Sequence, residues 1–165
     1  MKSLLVVRHA KSSWDWEDLN DFERPLSGRG TRDAPDMAAR VAARHGIPDL
    51  LVSSPAKRAK KTAQLFAETW EKPQNQILYI AELYHAPVAV FYDVVTHLPE
   101  DKDSISIFSH NPGITAFVNE LTEVRVDNMP TCGVFAIKVD RWKDFKNAKK
   151  EFWFFDYPKA EAPGK

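Results

Sequence analysis

Apolar positions along the 165-residue chain fall into two kinds of segment, short unbroken runs and longer stretches with helical spacing. Leu4-Leu5-Val6-Val7 predicts a first buried strand. Ala34, Met37, Ala38, Val41 and Ala42 share one face of a helix over residues 34–45, stopped by Gly46. Pro35 belongs near the start of that helix, because proline interrupts hydrogen bonding in a helix interior. Asp49–Val52 predicts a second strand. Ser54-Pro55 then supplies an N-cap and a first-turn proline for a helix with Ala59, Ala63, Phe66, Ala67 and Trp70 inward. Ile77–Ile80 reads as a third strand. A helix from Pro87 to Pro99 turns Val90, Phe91, Val94, Val95 and Leu98 inward. Ile105–Phe108 is a fourth strand, and Ile114, Phe117, Val118 and Leu121 mark a helix whose first residue is Pro112. Gly133–Val139 and Glu151–Phe155 close the series, with a turn or short helix around Trp142 between them.

Several of these strands are apolar throughout instead of alternating. That is the pattern of a mainly parallel sheet covered by helices on both faces. The expected fold is therefore α/β: a three-layer αβα sandwich with a mostly parallel central sheet. It forms one domain over residues 1–157, followed by a polar tail at 158–165. The run Phe152-Trp153-Phe154-Phe155 fits a core strand better than a base-stacking platform, since no basic groove accompanies it.

Composition narrows the partners. Lys and Arg number 23 and Asp and Glu number 23, so the formal net charge is zero. This argues against nucleic acid and against a polybasic membrane contact. The single cysteine, Cys132, cannot form an internal disulfide, which points to a reducing compartment. Beside Gly133 and before a strand, it reads as a buried structural thiol. The first apolar run is too short for a secretory segment, and no 18-residue apolar span occurs. A cytoplasmic location is expected.

Ligands of open α/β sheets bind beyond the carboxyl ends of the strands. Arg8-His9 follows the first strand, Ser53-Ser54 and then Arg58 the second, Glu82 the third and Ser109-His110 the fourth. Two arginines and two histidines on one edge describe a site for a tetrahedral dianion. A neutral imidazole can attack phosphorus, and Arg8 can grip phosphate oxygens through its planar fork. Arg58 lies in a helix first turn, where free N–H groups already favour an anion. Its neighbours Lys57, Lys60 and Lys61 read as a solvated face. His110 can donate a hydrogen bond to an equatorial oxygen. The five histidines show no metal-ligand spacing, and two arginines would repel a cation, so no metal and no cofactor are expected. No phosphate-binding glycine loop and no serine-hydrolase elbow is present.

Arg8-His9-Ala10, Arg58 in Ser53-Ser54-Pro55-Ala56-Lys57-Arg58, and Ser109-His110 together resemble the histidine phosphatase superfamily, whose fold is phosphoglycerate mutase-like. Within it, Arg24-Pro25-Leu26-Ser27, Arg29-Gly30, Glu82-Leu83-Tyr84-His85, His110-Asn111-Pro112-Gly113 and Asn128-Met129-Pro130-Thr131-Cys132-Gly133 resemble the short SixA-type phosphohistidine phosphatases. The resemblance implies a phosphatase with His9 as the phosphorylated nucleophile. Arg8, Arg58 and His110 would complete the phosphate pocket, with Arg24 and Asn111 as further substrate contacts. Ala10 stands where the family has glycine, a change that matters if that residue needs a positive φ.

The implied reaction is double displacement through phosphohistidine, with inorganic phosphate as product. An alkoxide leaving group needs a general acid, for which Glu82 is the first candidate and Asp21 the second. A phosphohistidine substrate makes a weaker demand, since it can depart as neutral imidazole. The expected substrate is phosphohistidine in a phosphorylated protein. The alternatives are a small phosphoester, hydrolysed or isomerised, and a phospho-ligand module without turnover. Arg24 has a plainer reading as an ion-pair partner of Asp21 or Glu23. Trp14 and Trp16 read either as local core or as a docking surface.

Overall fold

The computed structural model describes residues 1–14 and 20–160, and its centre is β1 (Lys2–Arg8). Side chains of a strand alternate between the two faces of a sheet. Leu4 and Val6 accordingly enter one core and Leu5 and Val7 the other, which is why the run has no polar member. Among the described residues the sheet has six strands, completed by β2 (Leu50–Ser53), β3 (Leu78–Tyr79), β4 (Ser104–Ser109), β5 (Val134–Val139) and β6 (Glu151–Asp156). Their spatial order is β3-β2-β4-β1-β5-β6. The pairs β3–β2, β2–β4 and β4–β1 are parallel, and β1–β5 and β5–β6 are antiparallel.

Helices α1 (Gly28–His45) and α2 (Lys57–Thr69) cover one face through Met37, Val41 and Phe66. Helices α3 (Val88–Thr96) and α4 (Gly113–Leu121) cover the other through Phe91, Phe117 and Val118. The rings of Phe91 and Phe117 stack at 4.8 Å, and Phe66 meets Phe108 edge-on at 5.1 Å. The three-layer sandwich and the mostly parallel sheet are borne out. No helix among the described residues is long and apolar enough to cross a membrane.

Several elements depart from the sequence reading. Helix α1 begins at Gly28, not at residue 34, because the Ser27 side chain accepts from the Gly30 amide at 3.1 Å and caps it. Pro35 therefore lies inside the helix and leaves only the Thr31 carbonyl without its usual donor. Gly30 packs against the Lys11 backbone so closely that a Cβ would collide with it, which seats α1 on the loop after β1. Helix α2 starts at Lys57, two residues past Pro55, and receives no side-chain cap. Strand β3 keeps only two residues, both exposed, at the sheet edge. Trp14 is 72% exposed and so is no core plug, while Trp16 and residues 161–165 lie outside the described residues. Cys132 is fully buried and free.

One feature of the topology locates the site. Adjacent parallel strands β1 and β4 pair Arg8 with Ser109, yet the chain leaves β1 for the α1 face and β4 for the α4 face. A crevice opens where connections diverge in this way. The residues that enter it first are His9 and His110.

Candidate active site

His9 is held by backbone on both sides. Its N–H donates to the Ser109 carbonyl at 3.1 Å, and its carbonyl accepts from the Cys132 amide at 3.0 Å. The residue is 5% exposed, and Nδ1 lies 2.8 Å from the Ala10 carbonyl. A carbonyl can only accept, so Nδ1 carries the proton and Nε2 keeps its lone pair. Ala10 is outside the left-handed region, and alanine is unstrained where the family has glycine. Burial pushes the imidazole down to about 3, opposed by the bond to Ala10 and reinforced by Arg58, Arg8 and Arg24. His9 is therefore a neutral imidazole at neutral pH.

Arg58 reaches His9 from the first turn of α2, with Nε 3.3 Å from Nε2. Its Nη1 and Nη2 bond the Asp21 carbonyl at 2.7 Å and the Asp21 carboxylate at 3.0 Å. The Thr62 hydroxyl donates to the Arg58 carbonyl at 2.7 Å and accepts from the Ala10 amide at 3.0 Å, tying α2 to the segment that carries His9. Arg8 enters from the end of β1 and donates through Nη1 to the Met129 carbonyl at 2.7 Å. Its buried Nε has no acceptor among the described residues. Burial first, then the Arg58 charge, press Arg8 below the ordinary guanidinium value. Two cations that repel across a cleft are both relieved by a bound anion.

His110 lies 5.2 Å from His9 between ring centroids. Its Nε2 sits 2.7 Å from the Ser54 hydroxyl, which also accepts from the Ala56 amide at 3.2 Å. The hydroxyl has two lone pairs and one proton, and among the described residues Nε2 is the one acceptor within reach of that proton, so the hydroxyl donates to Nε2. The His110 proton is thereby placed on Nδ1, which is buried and has no acceptor among the described residues. Burial lowers this imidazole to about 2, with His9, Arg58 and His85 adding to the effect and Asp21 opposing it. Sequence reasoning took Ser54 for a helix cap and missed its bond to His110. Its position after β2, directly beside β4, was the available signal.

Asp21 is the hub of the rim. It accepts from Arg24 at 3.1 Å, Arg58 at 3.0 Å, the Tyr84 hydroxyl at 2.7 Å and His85 Nε2 at 3.1 Å. Partial burial opposes ionisation, but the bonds from Tyr84, Arg58 and Arg24 outweigh it and hold the carboxyl well below its usual range. His85 takes a left-handed backbone, φ 54°, which sets its ring against Asp21. Tyr84 and His85 had no role in the sequence reading beyond their motif. Arg24 is the buried ion-pair partner of Asp21. Its guanidinium also bonds Ser12 at 2.5 Å and lies 3.3 Å from the Trp14 ring centre.

The cleft enclosed by these groups measures about 240 Å³. Arg8, His9, Asp21, Arg24, Arg58, His85, His110 and Asn111 all line it, so every residue singled out for the site reaches it except Glu82. Glu82 is exposed in the 3-10 turn Ala81–Leu83, which turns Leu83 inward instead. Asn111 lines the cleft, but its amide is already engaged. It donates to Asn128 at 2.9 Å and Met129 at 3.1 Å and accepts from the amide and hydroxyl of Thr115. Through these bonds it holds the Met129 carbonyl that accepts from Arg8. No group of three or more His, Cys, Asp or Glu among the described residues is arranged to hold a metal ion.

The sequence model described as histidine phosphatase superfamily (branch 1) matches residues 4–86. An uncharacterized chloroplastic protein of Arabidopsis thaliana is 24% identical over 153 residues, covering 87% of this chain and 70% of that protein. An uncharacterized protein of Mycobacterium tuberculosis is 25% identical over 150 residues, covering 84% of this chain and 90% of its own. Among solved structures, the protein histidine phosphatase SixA complexed with tungstate superposes with a TM-score of 0.81 at 20% identity, covering 94% of this chain and 97% of that one. A phosphoserine phosphatase variant from Entamoeba histolytica, in complex with phosphoserine, gives 0.68 at 16% identity over 96% and 98% of the two chains. The structures establish a shared fold. Because the matched segment spans half the chain and carries both Arg8-His9 and Arg58, this protein belongs to branch 1 of the histidine phosphatase superfamily.

Proposed function

We propose that this protein is a phosphatase that works through a phosphorylated His9 and removes phosphate from phosphohistidine in a protein. The observation that carries the reading is the disposition of protons at the cleft floor. His9 presents an unprotonated Nε2, while His110 Nδ1–H and Arg8 Nε–H stand beside it with no acceptor. A phosphoryl group is the ligand that supplies both an electrophile for the first and acceptors for the others.

In the first step the His9 Nε2 lone pair forms a bond to phosphorus, and the bond to the leaving group breaks with its electrons on that group. The arginines and His110 hold the equatorial oxygens as charge redistributes. Most of the acceleration comes from this positioning. Water then attacks phosphorus, the P–N bond breaks back onto Nε2, and the proton of water leaves with inorganic phosphate. His9 ends as it began.

The leaving-group side favours phosphohistidine. The one carboxylate lining the cleft, among the described residues, is Asp21, and it is held ionised by donors on every side. An ionised carboxylate has no proton for an alkoxide. The imidazole of phosphohistidine departs neutral when its distal nitrogen is protonated and needs no such acid. The cleft also falls below the roughly 300–1,000 Å³ usual for pockets that enclose a whole small molecule, which suits a phosphoryl group presented on a protein surface. The test is phosphate release from a phosphohistidine protein, p-nitrophenyl phosphate and an alkyl phosphate. Rates should fall in that order, the alkyl ester lowest by far. Equal rates for the alkyl ester and the phosphohistidine protein would overturn the substrate class.

A further inference from the structure

Next to the catalytic cleft runs a second, larger groove of about 550 Å³ with an apolar floor of Phe22, Pro25, Leu26 and Pro55. It is joined to the site through two elements. Phe22 follows Asp21 directly and meets the Tyr84 ring edge-on at 5.1 Å, and Pro55 follows Ser54. One wall is the start of α2, which contributes Lys57, Lys60 and Lys61.

Those lysines are placed where folding gives them nothing. The positive end of a helix disfavours cations, and like charges at i,i+3 and i,i+4 repel. No acid occupies the first turn of α2. Lys57 and Lys61 have no ion-pair partner among the described residues, and Lys60 has only the Tyr79 ring, 5.3 Å from its Nζ. Among the described residues a single carboxylate in the lining, Glu23, stands against the three. The groove is thus apolar below and cationic along one side.

We propose that this groove docks the segment flanking the phosphohistidine of the protein substrate, and that this segment is acidic with interspersed apolar residues. The proposal rests on the phosphohistidine reading of the adjacent cleft. Apolar side chains of the segment cover Phe22 and Leu26, while its carboxylates offset the lysine charges that have no ion-pair partner among the described residues.

Two synthetic phosphohistidine peptides of the same length test it, one flanked by Glu-Ile-Glu and the other by Gln-Ile-Gln, alongside free phosphohistidine. The wild-type protein should favour the acidic peptide in kcat/KM by about fivefold, through KM and less so at high salt, as expected for a few exposed charge pairs. The double variant Lys57→Glu, Lys61→Glu should lose or invert that preference while hydrolysing free phosphohistidine at the wild-type rate. Acids at a helix N-terminus stabilise it, so this variant is expected to fold. No preference in the wild type, or one that survives in the variant, overturns the docking groove. If the wild-type protein releases phosphate from p-nitrophenyl phosphate and not from free phosphohistidine or either peptide, the phosphohistidine reading itself fails.

Discussion

The floor and the rim of the cleft obey opposite rules. At the floor, His9, His110 and Arg58 are at most 5% exposed, and two N–H groups there, of Arg8 and His110, lack an acceptor among the described residues. At the rim, Asp21 has a side chain 41% exposed and is saturated by four donors. Unsatisfied buried donors are expensive in a folded protein, and they persist where a ligand completes them. A satisfied carboxylate does the reverse: it fixes Arg58 and Arg24 but has no proton to give. In the proposed mechanism the contrast separates gripping and attacking the phosphoryl group, assigned to the floor, from assisting the leaving group, for which the rim has no proton.

Replacing Arg58 by lysine is the strongest blow to the floor short of losing the nucleophile. The charge stays, but the fork that spans His9 and Asp21 is lost, and kcat should fall about 10²-fold. Ser54→Ala acts one shell out. With no hydroxyl to donate to Nε2, His110 loses the bond that fixes its proton on Nδ1. We expect about tenfold lower kcat with little change in KM, restored in part by Ser54→Thr.

Acid stability gives a smaller and independent reading of the same floor. In the unfolded chain a histidine takes up a proton near pH 6.5, whereas folded His110 resists until about 2. Between those values the unfolded state binds more protons, so this group's contribution to stability is present at neutral pH and lost as pH falls. His110→Gln should therefore lose less stability than the wild type between pH 7 and pH 4.5, measured by urea midpoints. Equal losses would place His110 in water. The smallest effect belongs to Glu82. Outside the cleft, Glu82→Gln should leave phosphohistidine, aryl and alkyl rates all within about twofold, whereas a lost general acid removes about 10²–10⁴ from the alkyl rate alone.

Legibility followed the same division. The strand ends were readable because Leu4–Val7 and Ile105–Phe108 are buried on both faces, and the polar residue that follows such a run sits at a crevice. Arg8, His9, Arg58 and His110 were found that way. The rim was not readable, since Asp21 opens a single 3-10 turn, Asp21–Glu23, too short to show periodicity, and His85 owes its place to its own left-handed backbone. Glu82 follows β3 as expected, but β3 is two residues long and the turn after it buries Leu83, leaving Glu82 exposed and out of the cleft lining. The start of α1 was missed because its first turns are polar and its apolar stripe begins only at Ala34. Ser54 was recognised by type and assigned the wrong partner, because a hydroxyl near a helix start suits either a cap or a distant imidazole.

The central claim is that the phosphoryl group passes through His9 Nε2. Millisecond mixing with a phosphohistidine protein, a quench that avoids acid, and intact-mass analysis test it most directly. The account predicts one added phosphoryl group on the wild-type chain, labile to acid, mapped to His9 and absent from His9→Ala. Phosphate release with no adduct on the wild-type chain, or an adduct that persists in His9→Ala, would contradict it.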